Sequence, residues 1–396
     1  MGTAGRRDDD AGARGTPGSR ASGLALVAAL GLTALFATGR PAADTRAASP
    51  PADPLAAEIG RWSRYLATHQ APASDEYWPQ ITAAAAPVMA AAEKALADGH
   101  RLLALQRLAA VWPLLAGTVY TSEHTGPERK DEAAFEAEWK RMGRELGGDL
   151  GPVSPADFDA FRPAAVRALV ETARLQIRGC YDASRDYGLT TDLDSGLMYI
   201  GNARAQRDFV AFSRTVSFPT SGAPPRLRPL AHELDDLETR LLAAYRPPAS
   251  IDRHGDFIAA NSTLNEARQL DAAGLRHGAL LRYLDAAFRT APLLPPAAAD
   301  PAPLADRIAA LEKQLASGDT DHSIGRIYLE RAQADLAAST PPASSAANAP
   351  PARATQAETI VADVLPRYFA ALRSATPRAV PPAPAVTVTL VRWPYT

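Results

Sequence analysis

Proline punctuates this chain, and between its clusters the apolar residues recur at helical spacing. The 34 prolines of the 396-residue chain gather mainly in Arg40–Pro54, Pro219–Pro229, Pro247–Pro248, Pro292–Pro303, Ser339–Ala354 and Pro377–Pro384. Proline gives a helix no amide hydrogen and turns the residue before it away from helical angles, so each cluster marks a break. Between breaks, Leu230, Leu234, Leu237, Leu241 and Tyr245 step by three and four and share one face of a helix. Leu304, Ile308, Leu311 and Leu315 repeat the pattern, as do Ile360, Val364, Tyr368 and Leu372. Helix starts are expected at Ser154–Pro155 with Asp157, and at Thr355 with Glu358 in a capping box. Stops are expected at Gly99, Gly188, Gly274 and Gly318, where a left-handed residue would end a periodic run. The expectation is an all-α protein of about ten to twelve helices, stacked as antiparallel hairpins in a solenoid-like array or an irregular bundle.

Period two enters once. Val386–Thr396 alternates apolar and polar residues as a strand does, with Trp393 and Tyr395 as candidate anchors for docking on the helical body or on a partner.

Near the N-terminus, Gly23–Gly39 is an unbroken apolar or small stretch flanked by Arg20 and Arg40. Its length lies between a signal-peptide core and a membrane span, and the arginines ahead of it favour an inside N-terminus. Residues 23–39 therefore read as a cleaved signal or a retained inner-membrane anchor, with residues 1–22 as a disordered cytoplasmic lead. A spacer over 40–54, a helical domain over 55–338, a low-complexity linker over 339–354, a C-terminal helix over 355–376 and a Pro-rich tail over 377–396 follow. The expected location is extracytoplasmic, in the periplasm or at the cell surface.

Charge and cysteine content narrow the classes. Forty-two basic residues balance 44 acidic ones without a basic block, which argues against nucleic acid as a partner. Cys180 is the single cysteine, so no internal disulfide exists and stability must come from a core. Its helical setting marks it as a small buried hydrophobe.

The segment Leu264–Pro292 resembles a tetratricopeptide repeat. Ala267 and Leu270 on a first helix, Gly274 in the turn, and Ala279, Tyr283 and Ala286 on a second stand at that family's spacing. Thr263 and Glu266 occupy its bulky positions, and the closing Pro292 is one residue late. A fainter copy surrounds Gly99, with Ala92, Ala95, Ala104 and Leu108, while Leu197, Ile200 and Gly201 resemble an isolated first helix. The resemblance implies a non-catalytic scaffold whose concave face binds peptides or partner proteins.

Two polar clusters compete with that reading. Asp252, His254 and Asp256 could orient a histidine for general-base work or ligate a metal, and Asp321 and His322, behind Asp319, form a second group. Each cluster also precedes a helix, where Asp252, Asp256 or Asp321 would serve as a cap. His232–Glu233 lacks the second histidine of a zinc-peptidase motif. Trp62, Tyr65, Trp78, Trp112 and Trp139 are expected in the core. The expected function is a scaffold or binding protein of the cell envelope with a protein or peptide partner and neither cofactor nor metal. The alternatives are a periplasmic enzyme built on residues 250–257 and a carrier of a small apolar ligand.

Overall fold

Each apolar stripe becomes a buried helix face. The computed structural model describes residues 53–69, 78–219, 222–247, 250–294, 302–339 and 351–373. Its helices are α1 (Pro54–Thr68), α2 (Trp78–Ala97), α3 (Arg101–Glu123), α4 (Glu132–Leu146), α5 (Ala164–Thr190) and α6 (Leu193–Ser213). Beyond them come α7 (Ala231–Ala244), α8 (His254–Ala272), α9 (Arg276–Thr290), α10 (Leu304–Ala316) and α11 (Ser323–Ser339). Finally α12 (Pro351–Thr359) runs through a π turn, Ile360–Val364, into α13 (Leu365–Arg373). The protein is all-α. Among the described residues the one strand-like pairing is a single parallel bridge, Ala223 with Thr320. The apolar segment 23–39 and the tail 377–396, with Trp393 and Tyr395, lie outside the described residues.

Consecutive helices pack as pairs: α2 with α3, α5 with α6, α8 with α9, and α10 with α11. One large core runs from Leu55 and Trp62 in α1 to Tyr368 and Ala371 in α13, so the C-terminal helix shares the core of the main domain. A smaller core around α4 joins Phe135 and Met142 to Ile177, Leu197 and Ile200. Trp62 and Trp112 are buried, while Tyr65, Trp78 and Trp139 pack half-buried against the two cores. The stripe of α7 is buried at Leu234, Leu237 and Leu241, with Leu230 buried at its N-cap and Tyr245 half-buried at its C-cap. Among the described residues α3 is the one helix long and apolar enough to cross a membrane, yet more than half of its most apolar window is buried in the protein.

The α8–α9 hairpin has its small residues where the helices cross. Ala267, Leu270, Ala279, Tyr283 and Ala286 are all buried. Gly274 turns the chain at φ 76°, in the left-handed region, and a Cβ there would lie 3.3 Å from Pro155 Cγ. Gly99 makes the same turn between α2 and α3 at φ 85°. Gly274→Val should lower stability by about 1 kcal/mol or more through backbone strain. Ala279→Leu should cost about 1–3 kcal/mol by overpacking the seam. Urea unfolding midpoints test both, and two unchanged midpoints would contradict this packing.

Several local expectations need correction. Gly188 does not end a helix, because α5 continues to Thr190. Gly188 instead lets α5 approach α6: a Cβ on the facing Gly196 would sit 2.7 Å from Gly188 Cα and 2.6 Å from Phe135 Cζ. Thr355 is not an N-cap either. α12 already begins at Pro351, where proline is tolerated, and the Thr355 carbonyl accepts a bond from Thr359 inside the helix. Ser154 and Asp157 do form a capping box, but on a short 3₁₀ turn, Pro155–Phe158, rather than on an α-helix. Cys180 is half-buried, and desolvation pushes its thiol up to about 12.

Four of the helices that begin without a capping side chain of their own are served from elsewhere in the chain. Their N-cap residues are His100, Pro163, Leu230 and Leu275. Each first turn is met by a carboxylate from elsewhere in the chain. Asp321 Oδ2 accepts from the amide of Ala164 at 2.6 Å while its Oδ1 accepts from that of Ser323 at 2.9 Å, so one carboxylate serves α5 and α11 together. Ser323 Oγ adds a bond from Ala165 at 2.9 Å. Glu171, fully buried in α5, accepts from the Gly278 amide of α9 at 2.7 Å and from Arg167 Nε at 2.8 Å. Asp271 accepts from the Leu230 amide at 3.1 Å, and Glu330 from the Leu103 amide of α3 at 3.3 Å. Unpaired amides at a helix N-terminus carry partial positive charge, so an anion from another element satisfies both hydrogen bond and dipole.

Glu330 carries a cost. Burial pushes its carboxyl up to about 7, against the opposing pull of the Leu103 amide and Arg326. The folded protein thus holds this proton more tightly than the unfolded chain does. Its contribution to stability is fully present below the ordinary glutamate range and is lost as pH rises through about 7. Denaturant midpoints for the wild type should therefore fall between pH 5 and pH 8, and Glu330→Gln should flatten that fall. An equal slope in the variant would refute the assignment.

Candidate functional site

The residues nominated by sequence do not assemble into one centre. Asp252, His254 and Asp256 are exposed at the start of α8. Neither aspartate caps it: Arg253 holds the N-cap position, and the chain enters from a 3₁₀ turn, Ile251–Arg253. His254 Nδ1 instead lies 2.7 Å from the Tyr245 hydroxyl, and Tyr245 stacks on Phe257 with ring centroids 4.2 Å apart. This histidine fastens the end of α7 to the start of α8. Asp321 is the buried double cap described above. His322 Nδ1 lies 2.9 Å from the Tyr368 hydroxyl, and burial pulls the imidazole below its ordinary pKa, with Asp321 opposing and Arg326 assisting. Among the described residues no three His, Cys, Asp or Glu side chains group as a metal site. Tyr283 fills the hairpin seam, and its hydroxyl accepts a bond from Arg367 of α13 at 2.9 Å.

Two adjoining clefts open beside α5 and α6. The larger, about 410 Å³, is lined by Phe161, Arg162, Arg214, Val216 and Phe218 among others. The smaller, about 270 Å³, includes Asp157, Phe158, Arg174, Arg207 and Val210, and shares Phe161 and Arg214 with its neighbour. Their walls come from the chain entering α5, from α5 itself, and from the end of α6 with the residues after it.

The local chain explains why these walls hold. The capping box fixes residues 154–158, with Ser154 donating its amide to Asp157 Oδ2 at 3.0 Å. Arg167 then ties this turn to α5 through Asp159 at 2.7 Å and the Pro155 carbonyl at 2.9 Å. Phe158 and Phe161 turn inward and are buried, forming an apolar floor. Beyond the clefts the Ala223–Thr320 bridge pins the chain after α6 to the loop that carries Asp321, with the Asp321 amide donating to the Ala223 carbonyl at 2.7 Å. Gly222 makes this fit possible, at φ 82° against the Asp319 and Thr320 backbone.

Charge lines the rim. Arg174 is anchored on the Gly148 carbonyl at 3.1 Å, and Arg207 on Glu145 at 2.9 Å. Burial works against the Arg207 charge, but Glu145 and Asp208 outweigh it and raise its pKa. Arg162 and Arg214 differ, being exposed and without a carboxylate partner among the described residues. The Arg214 guanidinium instead lies 5.2 Å from the Phe161 ring centroid. A guanidinium with spare donors beside an apolar floor can hold a carboxylate while an adjacent apolar side chain is buried. The sequence alone gave no sign of this pair, because arginines in loops look like ordinary solvated charge. The nearby spacing of Phe158 and Phe161 was the only local hint.

No family model, curated protein or solved structure matches the chain.

Proposed function

We propose that this protein is an extracytoplasmic binding or scaffold protein of the cell envelope, and that a protein or peptide partner with acidic and apolar side chains occupies the paired clefts. The observation that carries this reading is the juxtaposition of Arg162 and Arg214 with the Phe158–Phe161 floor at two adjoining openings. Helical hairpins supply the rigid walls such a site needs, in keeping with the tetratricopeptide-like spacing of residues 264–292. Export rests on the apolar segment 23–39 and the arginines before it.

Affinity capture from intact envelopes with wild type and an Arg162→Glu, Arg214→Glu double variant tests the site. The partner set should be lost in the variant while its circular dichroism is unchanged, and capture of the same set by both proteins would overturn the assignment. A reporter fused after residue 60 tests location independently: an extracytoplasmic signal is expected, and a cytoplasmic one ends the export reading.

A further inference from the structure

A second charged centre lies away from the clefts, between α3, α11 and α12, and it is electrostatically incomplete. Arg107 of α3 spends one donor on the Ala91 carbonyl of α2 at 2.5 Å. Arg331 of α11 lies over Phe288 of α9, its guanidinium carbon 4.0 Å from the ring centroid. Half-buried Arg353 comes from α12. One carboxylate, Asp335, feels all three guanidinium charges.

Asp335 does not satisfy them. Its Oδ2 is 3.8 Å from Arg331 Nε, too far for a hydrogen bond, and that buried oxygen has no hydrogen-bond partner. The Asp335 side chain is 13% exposed and that of Arg331 29%, so solvent reaches the centre. Nearby Asp98 is already paired with Lys94 at 2.8 Å. Three guanidinium groups against one carboxylate leave an excess of two positive charges. The groups register the imbalance. Burial and the Arg331 charge bring the Arg107 guanidinium down to about 10, with Arg353 adding to the effect and Asp335 and Asp98 opposing it. Burial also pushes the Asp335 carboxyl upward despite its three cationic neighbours.

We propose that Arg107, Arg331, Arg353 and Asp335 form an oxyanion site that takes a phosphoryl group. A phosphoryl dianion matches the excess of two charges, whereas a carboxylate would leave one uncompensated. Its tetrahedral oxygens can accept from guanidinium groups arriving on separate helices, and Arg geometry favours such contacts. Phe288 supports Arg331 by a cation–π contact that uses none of its N–H donors.

Calorimetric titration of the purified full chain with inorganic phosphate tests the site, alongside flotation with phosphatidylcholine vesicles with and without phosphatidic acid. Saturable binding of inorganic phosphate identifies a free phosphoryl ligand; binding only to vesicles with phosphatidic acid identifies a lipid headgroup. Either supports the site if the Arg107→Gln, Arg331→Gln double variant weakens it by about tenfold or more. Asp335→Asn guards against misfolding as the explanation, since removing the competing carboxylate should preserve or tighten binding. Absence of binding in both formats, or equal binding by wild type and the double variant, overturns the proposal.

Discussion

Asp321→Ala should lower the unfolding free energy by about 2–5 kcal/mol in urea titration, because it strands two amides at once. The Ala164 amide of α5 and the Ser323 amide of α11 both end on this carboxylate, which is only 3% exposed. A buried donor left unsatisfied costs about 1–3 kcal/mol, and bonds to an ionised acceptor lie at the upper end of the usual range. Asp321→Asn keeps one acceptor oxygen and should fall between alanine and wild type. Asp319→Ala, at an exposed neighbour in the same turn, should stay within about 0.5 kcal/mol of wild type. If Asp321→Ala behaved like Asp319→Ala, the carboxylate would not be holding the two helices.

Glu171→Ala should be of similar size, about 3–5 kcal/mol, for a different reason. Glu171 is fully buried, and removing it leaves the Gly278 amide unpaired and deprives Arg167 of one of its two carboxylates. Burial alone would raise the Glu171 carboxyl, but His277, Arg167 and the Gly278 amide outweigh it and hold it below the ordinary value of 4.5. A depressed pKa stabilises the fold above the unfolded value and loses that contribution as pH falls through the folded one. Glu171→Gln should therefore cost stability at pH 7 and lose part of the acid-induced destabilisation that the wild type shows below about pH 4.5. Parallel stability curves against pH for the two proteins would show that this charge is not what matters.

These two residues also mark where the sequence stopped being readable. The stripe of α7 and the turns at Gly99 and Gly274 were legible, since each depends on neighbours within a turn or two of helix. The capping box at Ser154 was legible for the same reason. The starts of α3, α5, α7 and α9 were not, because their N-cap residues, His100, Pro163, Leu230 and Leu275, are poor caps and the carboxylates that replace them are remote in sequence. The motif around Asp321 carried a true cap signal, but nothing local showed that it served a second helix. Gly188 failed differently: a glycine that permits close helix approach has the same local sequence as one that ends a helix. Arg162 and Arg214 became visible as a pair only once α6 had brought its end against the chain entering α5.

The remote caps have a consequence for the order in which the chain can mature. Asp321, Ser323 and Glu330 lie in or just before α11, yet they complete the first turns of α5 and α3. The Leu103 amide waits for a partner 227 residues downstream, and the Ala164 amide for one 157 residues downstream. At about 5–20 residues per second, a ribosome delivers Glu330 roughly 10–45 s after Leu103. Through that interval α3 and α5 lack groups that satisfy their first turns, so the N-terminal two-thirds of the chain cannot reach its final stability alone. A nascent chain built this way stays pliable until its last third arrives.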